Sequence, residues 1–311
     1  MATQSLRIAY GETLVELGKD NERIVVLEAD LGKSTMSILF QASYPERYFE
    51  MGIAEQNMAA TAAGLALTGK IPFINSFAVF SSGRAYDQIR QSIAMPKLNV
   101  KICGSSAGLS DFGDGATHQS IEDMAIMRAI PNMTVLVPAD AVETRKMVRA
   151  MADHDGPMYI RIDRNDLPLL TKIEDKFEIG KLQVFRDGSD IAVFANGVMV
   201  AKALEAAEQL AGRGVSVKVI NVSTVKPLSR EEVLGHVQGC KGVVTAEEHS
   251  IIGGLGSAIA ENLRQERNLP IEFVGVQDCF GTSALSYDEL LEHYGLTVDA
   301  IIKAITLVLE N

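Results

Sequence analysis

Short runs of β-branched and apolar residues recur along the chain between stretches of helical spacing: "RIVVLEAD", "IPFINSF", "VKICGSS", "MTVLVPAD", "PMYIRID", "IAVFAN", "VSVKVINV", "KGVVTAEE" and "IEFVGV". Strands this apolar must be covered on both faces, and a helix between successive strands makes them parallel. The implied fold class is α/β, with right-handed crossovers. Ligands of open parallel sheets sit beyond the carboxyl ends of strands, so the chemistry is expected in the segments that follow these runs: "EAD", "NSFAVFSS", "GSSAGLSDFGDGATHQS" and "DRND".

The alternation lapses from Arg164 to Asp190, where prolines and charges gather, and resumes with "DIAVFANGVMVAKALEAAEQLAGRGVSVKVINV". We therefore expect one domain over 1–172, a linker over 173–186 and a second domain over 187–311. A chain of 311 residues, 47% of them apolar, suffices for two cores.

A formal net charge of -11 argues against nucleic acid as a partner, because phosphate-backbone affinity rests on clustered Lys and Arg. Phosphate contacts should be local and few. The N-terminal stretch "MATQSLRIAYGETLVELGKD" has no basic segment followed by an apolar run, and no apolar run approaches a membrane span, so a cytoplasmic location with no membrane partner is expected. Cys103, Cys240 and Cys279 are odd in number and widely spaced, and are expected to be small core residues rather than a disulfide or zinc set.

No nucleophile elbow, Walker loop or HExxH element is present. What remains is acids, a few histidines and glycine loops, with no electron sink, so carbon chemistry on this chain requires a cofactor. "MGIAEQNMAATAAGLAL", residues 51–67, is small, apolar and helix-prone, yet carries one carboxylate, Glu55, near its start. The ordinary reading is an acid favoured by the positive end of a helix. The long loop "GSSAGLSDFGDGATHQSIEDMA" holds Asp114 and His118 four residues apart, before a helix expected to open at about Ser120. Its "GDG" resembles the start of a thiamine-diphosphate metal motif, but the next asparagine, Asn132, is too near to complete one, and no metal site is assigned. "GGLGSAIAENL" lacks the spacing of a dinucleotide fingerprint and is better read as a glycine turn feeding a helix.

Taken together and in order, "LEADLGKS", "YPERYFEMGIAEQNMAATAAGLA", "PFINSFAVF", "DGATHQSIEDMAIMRAIPNMTVLVPAD", "IRIDRNDLP", "VINVSTVKPLS" and "TAEEHSIIGGLGSA" resemble the C-terminal half of transketolase over nearly the whole chain. In that family thiamine diphosphate lies between a domain that holds magnesium and the diphosphate and a domain that contacts the aminopyrimidine. Only the second is matched. The resemblance implies a split enzyme whose partner is an N-terminal transketolase subunit, an α2β2 heterotetramer, and ketol transfer between sugar phosphates in pentose phosphate metabolism.

The resemblance also implies roles. Glu55 would hydrogen-bond pyrimidine N1' and bias the cofactor's 4'-amino group, in a pocket of Gly, Ala and Met where desolvation favours the protonated acid. Phe77 and Phe80 would pack on the pyrimidine face, where core packing is the alternative. Asp30 matches an acid near cofactor and donor. Ser34 and Arg164 match residues that bind the sugar phosphate. Asp114 and His118 match residues that contact donor hydroxyls, with His118 also assisting proton transfer.

Two departures stand out. The family's third ring after the phenylalanine pair is replaced near Gly83, where "RAYDQIRQSIA" is similar to deoxyxylulose-phosphate synthase, and its histidine at the loop start is replaced around Ser105 and Ser106. Both imply an altered donor pocket. Alternative readings are the β subunit of a 2-oxo acid dehydrogenase, a deoxyxylulose-phosphate-synthase-like half enzyme, and a non-enzymatic assembly module. Glu247, Glu248 and His249 are read as polar strand-end residues and given no catalytic role.

Overall fold

The computed structural model describes residues 2–266 and 269–310. Its centre is a seven-stranded sheet ordered Thr224–Lys226, Thr134–Leu136, Met158–Arg161, Lys101–Ser105, Ile71–Phe77, Ile24–Glu28 and Tyr48–Glu50. All neighbours run parallel except the first strand, which pairs antiparallel with Thr134–Leu136. Every residue of Ile24–Glu28, Ile71–Phe77 and Lys101–Ser105 is buried, the physical reason these runs are apolar throughout rather than alternating. A second, five-stranded sheet is ordered Ile271–Val276, Gly242–Ser250, Ile191–Ala195, Val217–Asn221 and Gln183–Arg186. The expected α/β architecture is present, and each apolar run from the sequence contains a strand.

Five short strands had no such signal: Thr3–Ser5, Tyr48–Glu50, Asp166–Pro168, Gln183–Arg186 and Thr224–Lys226. Two of them bear on the proposed division at 172 and 187. Gln183–Arg186, at the end of the expected linker, pairs antiparallel with Val217–Asn221. Thr224–Lys226, from the second half, completes the edge of the first sheet. One apolar cluster also runs from Leu6 and Tyr10 through Met147 and Ile160 to Val244 and Ile305, spanning both halves.

Local chemistry sets the helices. Ser5 accepts from the Ile8 N–H at the start of Leu6–Asp20. Asp140 accepts from Glu143 N–H at the start of Ala141–Asp153, and its second oxygen accepts from the N–H groups of Leu170 and Thr171, tying down the chain that leaves the first sheet. The helix Glu55–Leu67 has no side-chain cap; Gly52, at φ +67, turns the chain into it, and Met58, Ala59, Ala62 and Ala63 bury its inner face. Truncating the fully buried Met58 to alanine would cost about 2–5 kcal/mol.

The second helix of interest opens at Asp123, not at Ser120. The reason is that Ser120 is paired with Gly108 in an isolated bridge, and the chain bends through Ile121 and Glu122 before the helix opens. "GGLGSAIAENL" forms the glycine turn and the helix Leu255–Leu263. Of the cysteines, Cys103 is buried as expected, Cys240 is half-buried, and Cys279 is exposed because it follows the last strand in an irregular stretch. No helix among the described residues is long and apolar enough to cross a membrane.

Candidate active site

Five adjacent strands of the first sheet end on the same side, and each end delivers a candidate residue. Met158–Arg161 leads to Arg164, Lys101–Ser105 to the loop carrying Asp114 and His118, Ile71–Phe77 to Phe77 and Phe80, Ile24–Glu28 to Asp30 and Ser34, and Tyr48–Glu50 to Glu55. Parallel strands are what gather these distant segments on one side.

Phe77 closes its strand and is 3% exposed. The chain then enters a π-helical segment, Val79–Arg84, of the widened kind that often marks functional sites. Phe80 stacks on Phe77 with ring centroids 6.2 Å apart and planes 12° apart. The His118 ring meets both edge-on, at 6.1 and 5.4 Å. Its Nδ1 lies 2.9 Å from Thr117 Oγ1. The Arg164 guanidinium sits over Phe77 at 5.7 Å.

Glu55 is 1% exposed and heads its helix, so the helix-end reading is geometrically met, but its side chain has a more specific partner. Arg84 Nη1 lies 3.1 Å from Oε1 and 3.0 Å from Oε2, while its guanidinium carbon is 4.9 Å from the centre of the Phe80 ring. The pocket of small and apolar neighbours expected around Glu55 thus includes one cation, half-exposed at 48%. Gly83, where the third ring was expected to be replaced, is exposed, and a Cβ placed there would meet nothing within 4 Å.

The other side of the cluster is built around Arg164. Its Nη1 donates to Asp111 Oδ2 at 3.2 Å and to Ser106 Oγ at 3.3 Å. Burial pushes the Asp111 carboxyl up, against the pull of Arg164. Arg7 joins two of the strand ends: it donates through Nε to the Arg164 carbonyl at 3.0 Å and through Nη1 to the Ser34 carbonyl at 2.6 Å. Desolvation and the neighbouring Arg164 hold the Arg7 guanidinium below its ordinary value. Ser106 takes φ +51 at the start of the loop. Asp114 is exposed on that loop. Asp30 is also exposed, at φ +60, with its N–H donating to Glu50 Oε1 at 2.9 Å.

Glu55, Phe77, Phe80, His118 and Arg164 therefore form one continuous cluster, Ser34 joins it through Arg7, and Asp30 and Asp114 stand at its exposed margin. Sequence reasoning missed Arg84, Arg7 and Asp111. Arg84 lies four residues after Phe80 in "FSSGR", a spacing that places side chains on one face of a helix and was available as a signal. Glu247, Glu248 and His249, read as polar strand-end residues, lie near the end of the strand Gly242–Ser250 and are buried. Glu247 caps the helix Leu255–Leu263 by accepting from the N–H groups of Leu255 and Gly256.

Residues 2–169 match the family model "Transketolase, pyrimidine binding domain", and residues 180–301 match "Transketolase, C-terminal domain". A putative transketolase C-terminal section from Methanocaldococcus jannaschii is 47% identical over 97% of this chain and 95% of its own length. A 6-deoxy-6-sulfo-D-fructose transketolase subunit from Clostridium sp. strain MSTE9 is 45% identical over 96% of this chain and 92% of its own length. A solved structure described as a split gene transketolase, inactive beta4 tetramer, superposes with a TM-score of 0.90 at 47% identity, covering 99% of both chains. With both domain models matched in order across strand ends that gather one cluster, the chain belongs to the transketolase family.

Proposed function

We propose that this chain is the C-terminal subunit of a two-subunit transketolase and moves a two-carbon ketol unit from a ketose phosphate to an aldose phosphate. The observation that carries this reading is a buried carboxylate, Glu55, meeting a flat N–H donor that lies against Phe80. Arg84's guanidinium is planar, donates hydrogen bonds and stacks on a ring, as a protonated aminopyrimidine does. The residues present therefore fit the pyrimidine end of thiamine diphosphate. They do not fit its metal: among the described residues no group of three or more His, Cys, Asp or Glu is arranged to hold an ion. Magnesium and the diphosphate are accordingly assigned to the N-terminal partner subunit, in an α2β2 assembly within the cytoplasm.

When bound, thiamine diphosphate supplies a nucleophilic carbon and an electron sink for breaking the bond beside a ketose carbonyl. Glu55 would hold the cofactor by a hydrogen bond at pyrimidine N1', biasing where the 4'-amino proton resides, and Phe77 and Phe80 would hold the ring face and exclude water, strengthening that bond. His118, its Nδ1 engaged by Thr117, presents Nε2 to carry a proton at the reacting carbon. Arg164 and Ser34 bind the anionic end of the sugar, Asp114 contacts donor hydroxyls, and Asp30 lies toward cofactor and donor. We keep the division 1–172, 173–186 and 187–311, with the first part carrying these residues.

The description of the 47% identical structure as an inactive tetramer of one chain type supports dependence on a partner. The test is reconstitution. The purified chain should show no ketol transfer alone and gain it with the N-terminal subunit, thiamine diphosphate and magnesium, in a donor panel that includes a 6-sulfo ketose beside the ketose phosphates. Full turnover by the isolated chain, or transfer to lipoamide instead of sugars, would overturn the reading.

A further inference from the structure

The loop from Ser106 to Gln119 carries Asp111, Asp114 and His118, yet much of what holds it comes from the other half of the chain. Leu109 N–H donates to Glu248 Oε1 at 2.7 Å. Ala284 N–H donates to the Phe112 carbonyl at 2.9 Å, and Gln119 Nε2 donates to the Thr282 carbonyl at 2.9 Å. Glu248 is the contact at the root of the loop. Gly108 takes φ +64, and a Cβ there would fall 2.5 Å from the Glu248 carboxyl carbon, so the turn is moulded directly on that side chain.

The carboxyl group is itself fixed from below. Arg161 Nη1 lies 3.7 Å from Oε2, Arg161 Nη2 donates to the Glu248 carbonyl at 2.7 Å, and Arg161 Nε donates to Asp123. Asp163 stands beside it with Tyr287 donating to its Oδ2 at 2.8 Å. The register between Gly242–Ser250 and Ile271–Val276 shifts between Ala246 and Ser250, which is where Glu248 leaves the regular ladder.

We propose that Glu248 is a positioning residue for donor binding: it clamps the Leu109 amide and thereby sets where Asp111, Asp114 and His118 stand. This rests on the transketolase reading for its kinetic consequence, though not for the clamp. Burial and the neighbouring Asp163 push the Glu248 carboxyl up to about 8 against the pull of Arg161, so glutamine resembles the neutral form and keeps the acceptor oxygen.

Three variants and two readouts test it. In the isolated chain, Glu248→Ala should speed hydrogen exchange of amides in 106–119 by about tenfold or more, the effect of losing a buried hydrogen bond of this kind. In the reconstituted enzyme it should raise donor KM by about tenfold and lower kcat by a comparable factor, because the loop carries both the donor contact Asp114 and the proton carrier His118. Glu248→Gln should restore both. Unchanged loop exchange in Glu248→Ala, or a Gln variant as impaired as Ala, would overturn the clamp, the latter because charge against Arg161 would then be the whole role. If the Ala variant does not fold, Glu248→Asp keeps the carboxyl group but falls one methylene short of Leu109; it should reproduce the faster exchange, and wild-type exchange would overturn the proposal. A reconstituted wild type without ketol transfer would sink the functional reading alone, leaving the exchange result to decide the clamp.

Discussion

Arg84 spans both carboxylate oxygens of Glu55 with a single nitrogen, at 3.1 and 3.0 Å, while resting on the face of Phe80. On the proposed assignment, pyrimidine N1' would compete with that guanidinium for the same two oxygens, so cofactor binding would weaken or break an ion pair with one buried and one half-exposed partner. Because Arg84 is half-exposed, solvent screens the pair and its contribution is modest. Arg84→Ala should tighten thiamine diphosphate binding to the reconstituted enzyme by about three- to tenfold, on the scale of one partly screened ionic hydrogen bond. Titration calorimetry measures this directly; weaker binding would mean that Arg84 supports the cofactor.

Glu55→Gln keeps size and polarity but removes the acid. Turnover should fall by about a hundredfold or more, the usual scale for a lost acid–base group, with the subunit assembly intact by sedimentation. Full activity in an intact assembly would favour a purely architectural role.

Arg164 donates through one nitrogen to Asp111 and Ser106 and lies over the Phe77 ring, which leaves its other donors for a ligand. Arg164→Ala should raise KM for the phosphorylated donor by about ten- to a hundredfold with a much smaller change in kcat. Arg164→Lys should recover only part of this, because an ammonium lacks the planar guanidinium that lies over Phe77. Steady-state kinetics with phosphorylated and non-phosphorylated ketoses separates the anion contact from general damage.

Stability should carry a pH signature from Glu143. Burial pushes its carboxyl from an ordinary 4.5 up to about 7, although it accepts from Ala139 N–H and Asn221 Nδ2. The folded protein thus retains a proton that the unfolded chain has released. The group's contribution is complete below about 4.5 and is lost as pH rises through about 7, amounting to up to ~3 kcal/mol. Lys101, lowered by burial to about 7, works in the opposite sense above that pH, so the wild type and Glu143→Gln must be compared at matched pH. Urea titrations at about pH 5 and about pH 8 should show a smaller decline in the variant. The buried Asn221 Oδ1 has no hydrogen-bond partner, so an amide flip there can accept from the new glutamine.

What was legible beforehand follows from burial. Strands covered on both faces, such as Ile71–Phe77, announce themselves as apolar runs, whereas Tyr48–Glu50 and Gln183–Arg186 lie at sheet edges, partly exposed, and lack the pattern. The gathering of Phe77, His118 and Arg164 was readable because parallel topology brings strand ends together whatever their distance in sequence. Arg7 was not: it meets the Arg164 carbonyl across 157 positions, and nothing in "SLRIAYG" indicates it. The pairing of Glu55 with Arg84 also lay outside what apolar neighbours alone could foretell.

The strand Thr224–Lys226 is stitched onto Thr134–Leu136 across the presumed boundary, with Val137 N–H also bonded to the Ser223 carbonyl at 2.9 Å and Lys226 Nζ reaching the Arg128 carbonyl at 2.9 Å. A gene severed between the halves would leave the amino-terminal fragment with a raw sheet margin, an open template for pairing with its own copies. Transplanting the carboxyl-terminal part elsewhere would carry that missing hem with it.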